Sequence, residues 1–442
     1  MTRLFHLWHV LRASLWFVPG AIVLIAVGLA TGLIEIDARI DHKLLEAWPR
    51  MFGAGAAGAR GVLATVAGSM ITVAGVVFSI TLVALSLASS QYTSRVLRNF
   101  MTDRTNQTVL GVFVGIFAYC LVVLRTIREG ETTEFVPSLA VTGGVVLAFV
   151  GIGYFIYFIH HIATLIQASQ ILARIANETI GRVDHLFPEG VGNEGERDET
   201  LNAASADPGR VWTPVLASRT GYIQHVDGDT LLAGARECKA VVRMEHAIGD
   251  FVIEGMPIAR VLAPATLDPE SVDDLRAAFS ISHQRTTDQD AAYGIRQIVD
   301  VALKALSPGV NDTTTAIMSL DYLTAILARI SNRMVESPWR YDDEELRVIT
   351  RGPTFESLVD LGLDQIRQNA AGNVAVLARV IGTVELLEGL TQSPMRRRVL
   401  WRHALALEEM VQRTVPGPHD REPLRARAER LVRSCALSES QK

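Results

Sequence analysis

The sequence predicts a mainly α-helical membrane protein with four transmembrane helices, then a small β-module, then a cytoplasmic α-helical domain. Three observations carry this reading. Four long windows before Ile180 are almost free of charge, short β-like runs fill Val211 to Val261, and apolar residues recur at three and four spacing from Asp268 onward. At 442 residues the chain exceeds a single typical core, and its hydrophobic residues gather in the first part while charges crowd the rest.

The four windows cover about 13–34, 61–94, 105–125 and 135–173, within a transmembrane domain of residues 1–183. A bilayer core takes roughly 20 helical residues, and helix satisfies every backbone group within the segment. The second and fourth windows are longer than that and are expected to continue into water as stalks. The opening MTRLFHLWHVLRASLW with its apolar run resembles a signal peptide, but the run to Ile34 is uncharged, long enough to span and lacks an A-x-A site, so it reads as a retained anchor. Lysine and arginine in the short flanks favour both termini in the cytoplasm. The loop DARIDHKLLEAWPRMF (37–52) has the spacing of a helix lying along the outer interface.

Composition removes several function classes. A net charge of −5 with no concentrated basic face argues against a nucleic-acid partner. The cysteines Cys120, Cys238 and Cys435 form no CxxC pair and no disulfide framework, so no metal is expected. There is no GxSxG, GxxxxGK[ST] or HExxH and no dinucleotide fingerprint after a strand, so neither an enzyme nor a bound cofactor is expected.

A polar, glycine-bearing stretch at 184–210 reads as a linker. The runs WTPVLA, GYIQHV, KAVVRM, DFVIEG and PIARVL then form a β-module over 211–265, with IGDFVIEGMPIARV shaped like a hairpin turning at Gly249-Asp250 and Gly255. This pattern resembles the barrel-sandwich modules of biotinyl and lipoyl carriers and of efflux-pump adaptors. It lacks the lysine that carriers modify at the hairpin tip. Residues 266–442 make the helical domain, beginning with a helix over 271–282. The run from Val374 to Leu390 is interrupted by Arg379, Glu385 and Glu388, so it reads as a bundle helix and not as a fifth span.

Two motifs, VAGVVFSITLVALSLASSQYTSRVLRNFMTD (Val73 to Asp103) and YGIRQIVDVALKALSPGVNDTTTA (Tyr293 to Ala316), resemble the bacterial membrane proteins catalogued as domain of unknown function 2254. That resemblance implies an inner-membrane protein with a cytoplasmic C-terminal domain. It implies no catalytic residues.

Three groups of residues are candidate sites. Thr65, Gly68, Thr72, Gly75, Ser79, Val83, Ser86 and Ser90 recur at three and four spacing and share one edge of the second helix. Such an edge is either a packing seam between helices or, if copies of the chain gather around an axis, the lining of a water-filled path with Arg95, Arg98 and Arg104 at its cytoplasmic mouth. His160 and His161 follow an aromatic belt and are candidates for sensing pH. Asp290, Arg296, Asp300, Asn311 and Asp312 are candidates for a ligand pocket or a structural polar network, with helix capping as the plain role of Asn311 or Asp312. Two functions fit. One is a homo-oligomeric ion or small-solute channel gated through its cytoplasmic domain; the alternative is a membrane-anchored sensor or scaffold whose soluble domain binds a small ligand, ion or protein partner.

Overall fold

The computed structural model describes residues 16–39, 55–91, 103–128, 135–165, 167–186, 211–264, 266–287, 289–331, 333, 338–342 and 345–437. The predicted interfacial loop helix and linker fall largely outside these residues. The chain divides into two compact units, residues 1–170 and 171–442.

The first unit holds the four helices expected from the windows: α1 (Phe17–Arg39), α2 (Ala56–Gln91), α3 (Arg104–Thr126) and α4 (Ser138–Leu165). Each is long and apolar enough to cross a bilayer. Half of α3's span is buried within the unit, against 6% for α1 and 22% for α2 and for α4, so α3 is the central helix. Phe113, Ile116 and Tyr119 of α3 pack with Leu63, Met70 and Val77 of α2 and Phe158 of α4. In lipid, where burial gives little drive, close backbone approach holds helices together. Gly111 provides it between α3 and α1: a Cβ there would stand 2.7 Å from Ile22 Cδ1 and 2.9 Å from Pro19 Cα.

Charged side chains close the helix ends, where backbone groups lack intrahelical partners. Asp37, 4% exposed at the end of α1, accepts from the N–H groups of Leu139 (3.2 Å) and Ala140 (3.0 Å) in the first turn of α4. Arg60 of α2 donates to the carbonyl of Ile127, the residue that ends α3, at 2.9 Å. Asp103 caps α3 by accepting from Thr105 N–H at 2.8 Å.

The fourth window does not run on as one stalk to residue 173. Its helix α4 ends at Leu165 and a new helix, α5 (Ala168–Leu186), begins three residues later. The break falls where the uniformly apolar pattern gives way to an amphipathic one, in which Ile171, Leu172, Ile175, Ala176, Thr179 and Val183 are buried.

From residue 171, α5 belongs to the second unit. Its strands are β1 (Val211–Leu216), β2 (Gly221–Val226), β3 (Val241–Met244), β4 (Phe251–Val252), β5 (Pro257–Ala263), β6 (Phe279–Ser282), β7 (Trp339–Asp342) and β8 (Glu345–Ile349). Two short helices, α6 (Gly228–Glu237) and α7 (Pro269–Ala277), are interleaved with them. One sheet has the order β1-β5-β3-β8-β7, the other β4-β2-β6; β3 and β8 pair in parallel and the other neighbours antiparallel.

All five predicted strands are present, with three departures. The helix expected over 271–282 ends at Ala277, and Phe279–Ser282 pairs with β2 as a strand. β7 and β8 return from residues 339–349 to extend a sheet expected to end at 265. The expected hairpin is also split: β4 lies in the small sheet and β5 in the large one. Gly255, at φ 82°, turns the chain between them, and its N–H bonds to Ala217 C=O at 3.0 Å. Val215, Ile223, Val242, Val252, Ile258 and Val261 meet in the shared core, joined by Leu231 of α6 and Leu275 of α7.

The remaining helices are α8 (Ala291–Ala305), α9 (Thr313–Ser331), α10 (Phe355–Asn369), α11 (Val374–Leu390), α12 (Pro394–Thr414) and α13 (Pro418–Leu437). As expected, α11 is a bundle helix: Val376, Leu377, Val380, Ile381, Val384 and Leu387 are buried, Arg379 pairs with Asp321, and Glu385 pairs with Arg427. Helix α5 docks tightly on this bundle. Thr179 crosses Gly294 of α8 where a methyl group would collide with the threonine hydroxyl. Asp184 is bound by Arg329 at 2.7 Å and by the buried Arg333 at 2.8 Å. Arg396 of α12, itself buried, closes the end of α9 by donating to the carbonyls of Ser331 (3.0 Å) and Arg333 (2.9 Å).

Candidate functional site

Helix α2 has two sharply different faces. Ala59, Leu63, Ala67, Met70, Ala74, Val77 and Ala84 are buried within the unit. Thr65, Gly68, Thr72, Gly75, Ser79, Val83 and Ser86 are all exposed, on the opposite side of the helix. A Cβ on Gly61, Gly68 or Gly75 would meet nothing within 4 Å. The hydroxyls donate within the helix: Thr65 to Gly61 C=O at 2.7 Å, and Thr72 to Gly68 C=O at 2.8 Å. Each hydroxyl oxygen thus keeps acceptor capacity facing outward, at little desolvation cost to the donor. Phe78 and Leu82 flank the stripe on one side, Val62 and Val76 on the other, all exposed. The stripe is therefore no seam against the described residues of its own unit. The side chain of Ser90, and Arg95 and Arg98 altogether, lie outside the described residues.

The third arginine, Arg104, opens on another surface. It begins α3 and, with Thr105 and Thr108, lines a crevice of about 630 Å³ against Gly153, Tyr154 and Tyr157 of α4. At the rim His161 Nε2 lies 3.2 Å from Asp103 Oδ2, its ring stacked on Tyr157 with centroids 6.0 Å apart. His160 is exposed. Of the two neighbouring histidines, His161 alone has a partnered ring among the described residues, as expected for positions about 100° apart on a helix.

The five polar residues of the second unit do not form one pocket. Asp290 is buried at the start of α8, accepts from Tyr293 N–H at 3.0 Å and binds Arg285 Nε and Nη2 at 2.9 and 2.7 Å. Burial pushes its carboxyl above the usual range, against the pull of Arg285. Asp312 stands beyond the other end of that helix, whose 15 residues span roughly 22 Å. There it caps α9, accepting from Thr315 N–H at 3.0 Å and Thr315 Oγ1 at 2.6 Å, and these bonds hold its carboxyl below the usual range. Asp290 and Asp312 cannot share a cation. Asn311 adopts φ 47° in the turn between α8 and α9, Arg296 bonds Gln365 at 2.6 Å, and Asp300 is half-buried on α8. Among the described residues no His, Cys, Asp and Glu side chains assemble into a metal site.

Sequence reasoning passed over Asp37, Arg60 and Arg396, each of which closes the end of a helix distant in sequence. A visible signal existed for Asp37: an acid in the last turn of a membrane span is costly unless partnered.

The chain matches the family described as "Predicted membrane protein (DUF2254)" over residues 12–385. It is 33% identical over 425 residues to "Uncharacterized protein Rv1290c" of Mycobacterium tuberculosis strain H37Rv and to "Uncharacterized protein Mb1321c" of Mycobacterium bovis, an alignment covering 93% of this chain and 78% of each relative. "Uncharacterized protein MT1328" of Mycobacterium tuberculosis strain CDC 1551 is similar to the same extent. No solved structure matches the chain. With four spans of membrane-crossing length and a family match over most of its residues, the chain belongs to the DUF2254 family of predicted membrane proteins.

Proposed function

We propose that the protein is a homo-oligomeric channel for ions or small solutes, set in the bacterial inner membrane with both termini in the cytoplasm and gated by its C-terminal unit. The supporting observation is the outward small-polar face of α2. A face from Thr65 to Ser86 that its own unit leaves uncovered, with the Thr65 and Thr72 hydroxyls already bonded internally, is suited to meet water around a shared axis, while its apolar flanks seal against neighbouring copies or lipid. Gating through the C-terminal unit is supported by α5, which follows α4 after two residues and is anchored to the bundle by Asp184 and Thr179.

The test is current through planar bilayers containing purified protein. The reading expects a conductance that Ser79→Trp, filling the narrow face with an indole, reduces by at least about tenfold, the scale of a 1.4 kcal/mol barrier. Absence of current under voltage, tension and candidate ligands overturns it and returns the protein to the class of anchored sensors.

A further inference from the structure

We infer that the crevice between α3 and α4 is a binding site for one anionic phospholipid, with the phosphodiester held at Arg104 and an acyl chain running along α4. The two helices are antiparallel there: Asp103 faces His161, Phe113 meets Phe155 edge-on at 6.4 Å, and Ile116 lies near Gly151. Arg104 begins a membrane span, which places the crevice mouth at the level of lipid headgroups. Going inward, the lining passes from Arg104, Thr105 and Thr108 to Tyr154 and Tyr157, and then to Val150 and the bare backbone of Gly153. That gradient, a cation with hydroxyls followed by an apolar floor, is the chemical profile of a phospholipid.

Two further observations single out the headgroup. Arg104 is exposed, and among the described residues no carboxylate or carbonyl engages it, so its charge is available to a phosphate. The adjacent carboxylate that would repel the phosphate, Asp103, is 8% exposed and occupied by Thr105 N–H and His161. The floor is open as well, since a Cβ on Gly153 would meet nothing within 4 Å and a larger residue there would fill the crevice without striking the protein. The inference needs only that these helices lie in a bilayer and is independent of conduction along α2.

Native mass spectrometry of the purified full-length chain, with equal mole fractions of phosphatidylglycerol and phosphatidylcholine in the micelle, tests it. The expected result is selective retention of phosphatidylglycerol, reduced about tenfold by Arg104→Gln and by Gly153→Leu, in line with loss of one charged hydrogen-bonding group or of the floor. Arg104 is at the surface, so its variant reports binding and not folding. A third arm measures the melting temperature with inorganic phosphate alone; the inference expects no shift, because the apolar floor is left unfilled. Equal retention of both lipids, indifference to Arg104→Gln, or full protection by phosphate alone each overturns it.

Discussion

His403 shows how one buried side chain sets a pH dependence. It lies on α12, 3% exposed, with Nε2 2.8 Å from Asp360 and Nδ1 3.7 Å from Asp364, while Arg402 also bonds Asp360. Burial lowers the imidazole's pKa below its ordinary value, outweighing the pull of the two carboxylates. The folded protein therefore holds a neutral ring at a pH where the unfolded chain, titrating near about 6.5, takes up a proton first. This stabilisation is complete above that value and is lost as the pH falls below it toward the folded pKa. Melting temperatures of the purified protein should drop between about pH 7 and pH 5, and His403→Gln, which keeps a hydrogen bond to Asp360, should flatten that part of the profile. An unchanged slope in the variant would place the dependence elsewhere.

At the scale of elements, α5 crosses α8 at Gly294, where no side chain larger than glycine's fits against Thr179. Gly294→Ala forces a methyl into the Thr179 hydroxyl and should cost about 1–3 kcal/mol, read as a lowered denaturation midpoint; Thr179→Ala in the same background should recover part of it by removing the hydroxyl the methyl strikes. The membrane-length helices and α11 were legible in the sequence, whereas α5 and α6 were not. Four uncharged windows gave α1 to α4, and interruption of the apolar run by Arg379 and Glu385 marked α11 as a bundle helix, which its packing bears out. The strands Trp339–Asp342 and Glu345–Ile349 were not, because WRYD and ELRVI are short, charge-rich pieces: β7 pairs only with β8, and β8 joins the sheet through β3, about 100 residues earlier. For the same reason the grouping of Asp290 with Asp312 misled. Closeness along the chain, with a helix between, becomes separation in space. The stripe on α2 was readable from spacing alone, but which way it faces depended on α3 and α4 covering the other side.

At the scale of the whole molecule, the α2 face makes a claim about assembly. Its three native cysteines suit a labelling test: Cys120 is buried in α3, burial lifts the Cys435 thiol to about 11, and the half-buried Cys238 can be replaced by serine. On that background, cysteines at positions 72, 79 and 86 should react with a charged maleimide in reconstituted membranes, while one at position 78 on the apolar flank should not. Protection of all three positions would mean the stripe is sealed by neighbours and carries no water. The route of the large sheet has a different bearing, on biosynthesis. Because β8 lies beside β3 in parallel, with α8 and α9 between them in the chain, the long edge of β3 stays without its hydrogen-bonding neighbour until residue 349 has been made. A fragment cut after the first five strands would carry that raw edge permanently, so the β-rich portion matures only together with the helices that follow it.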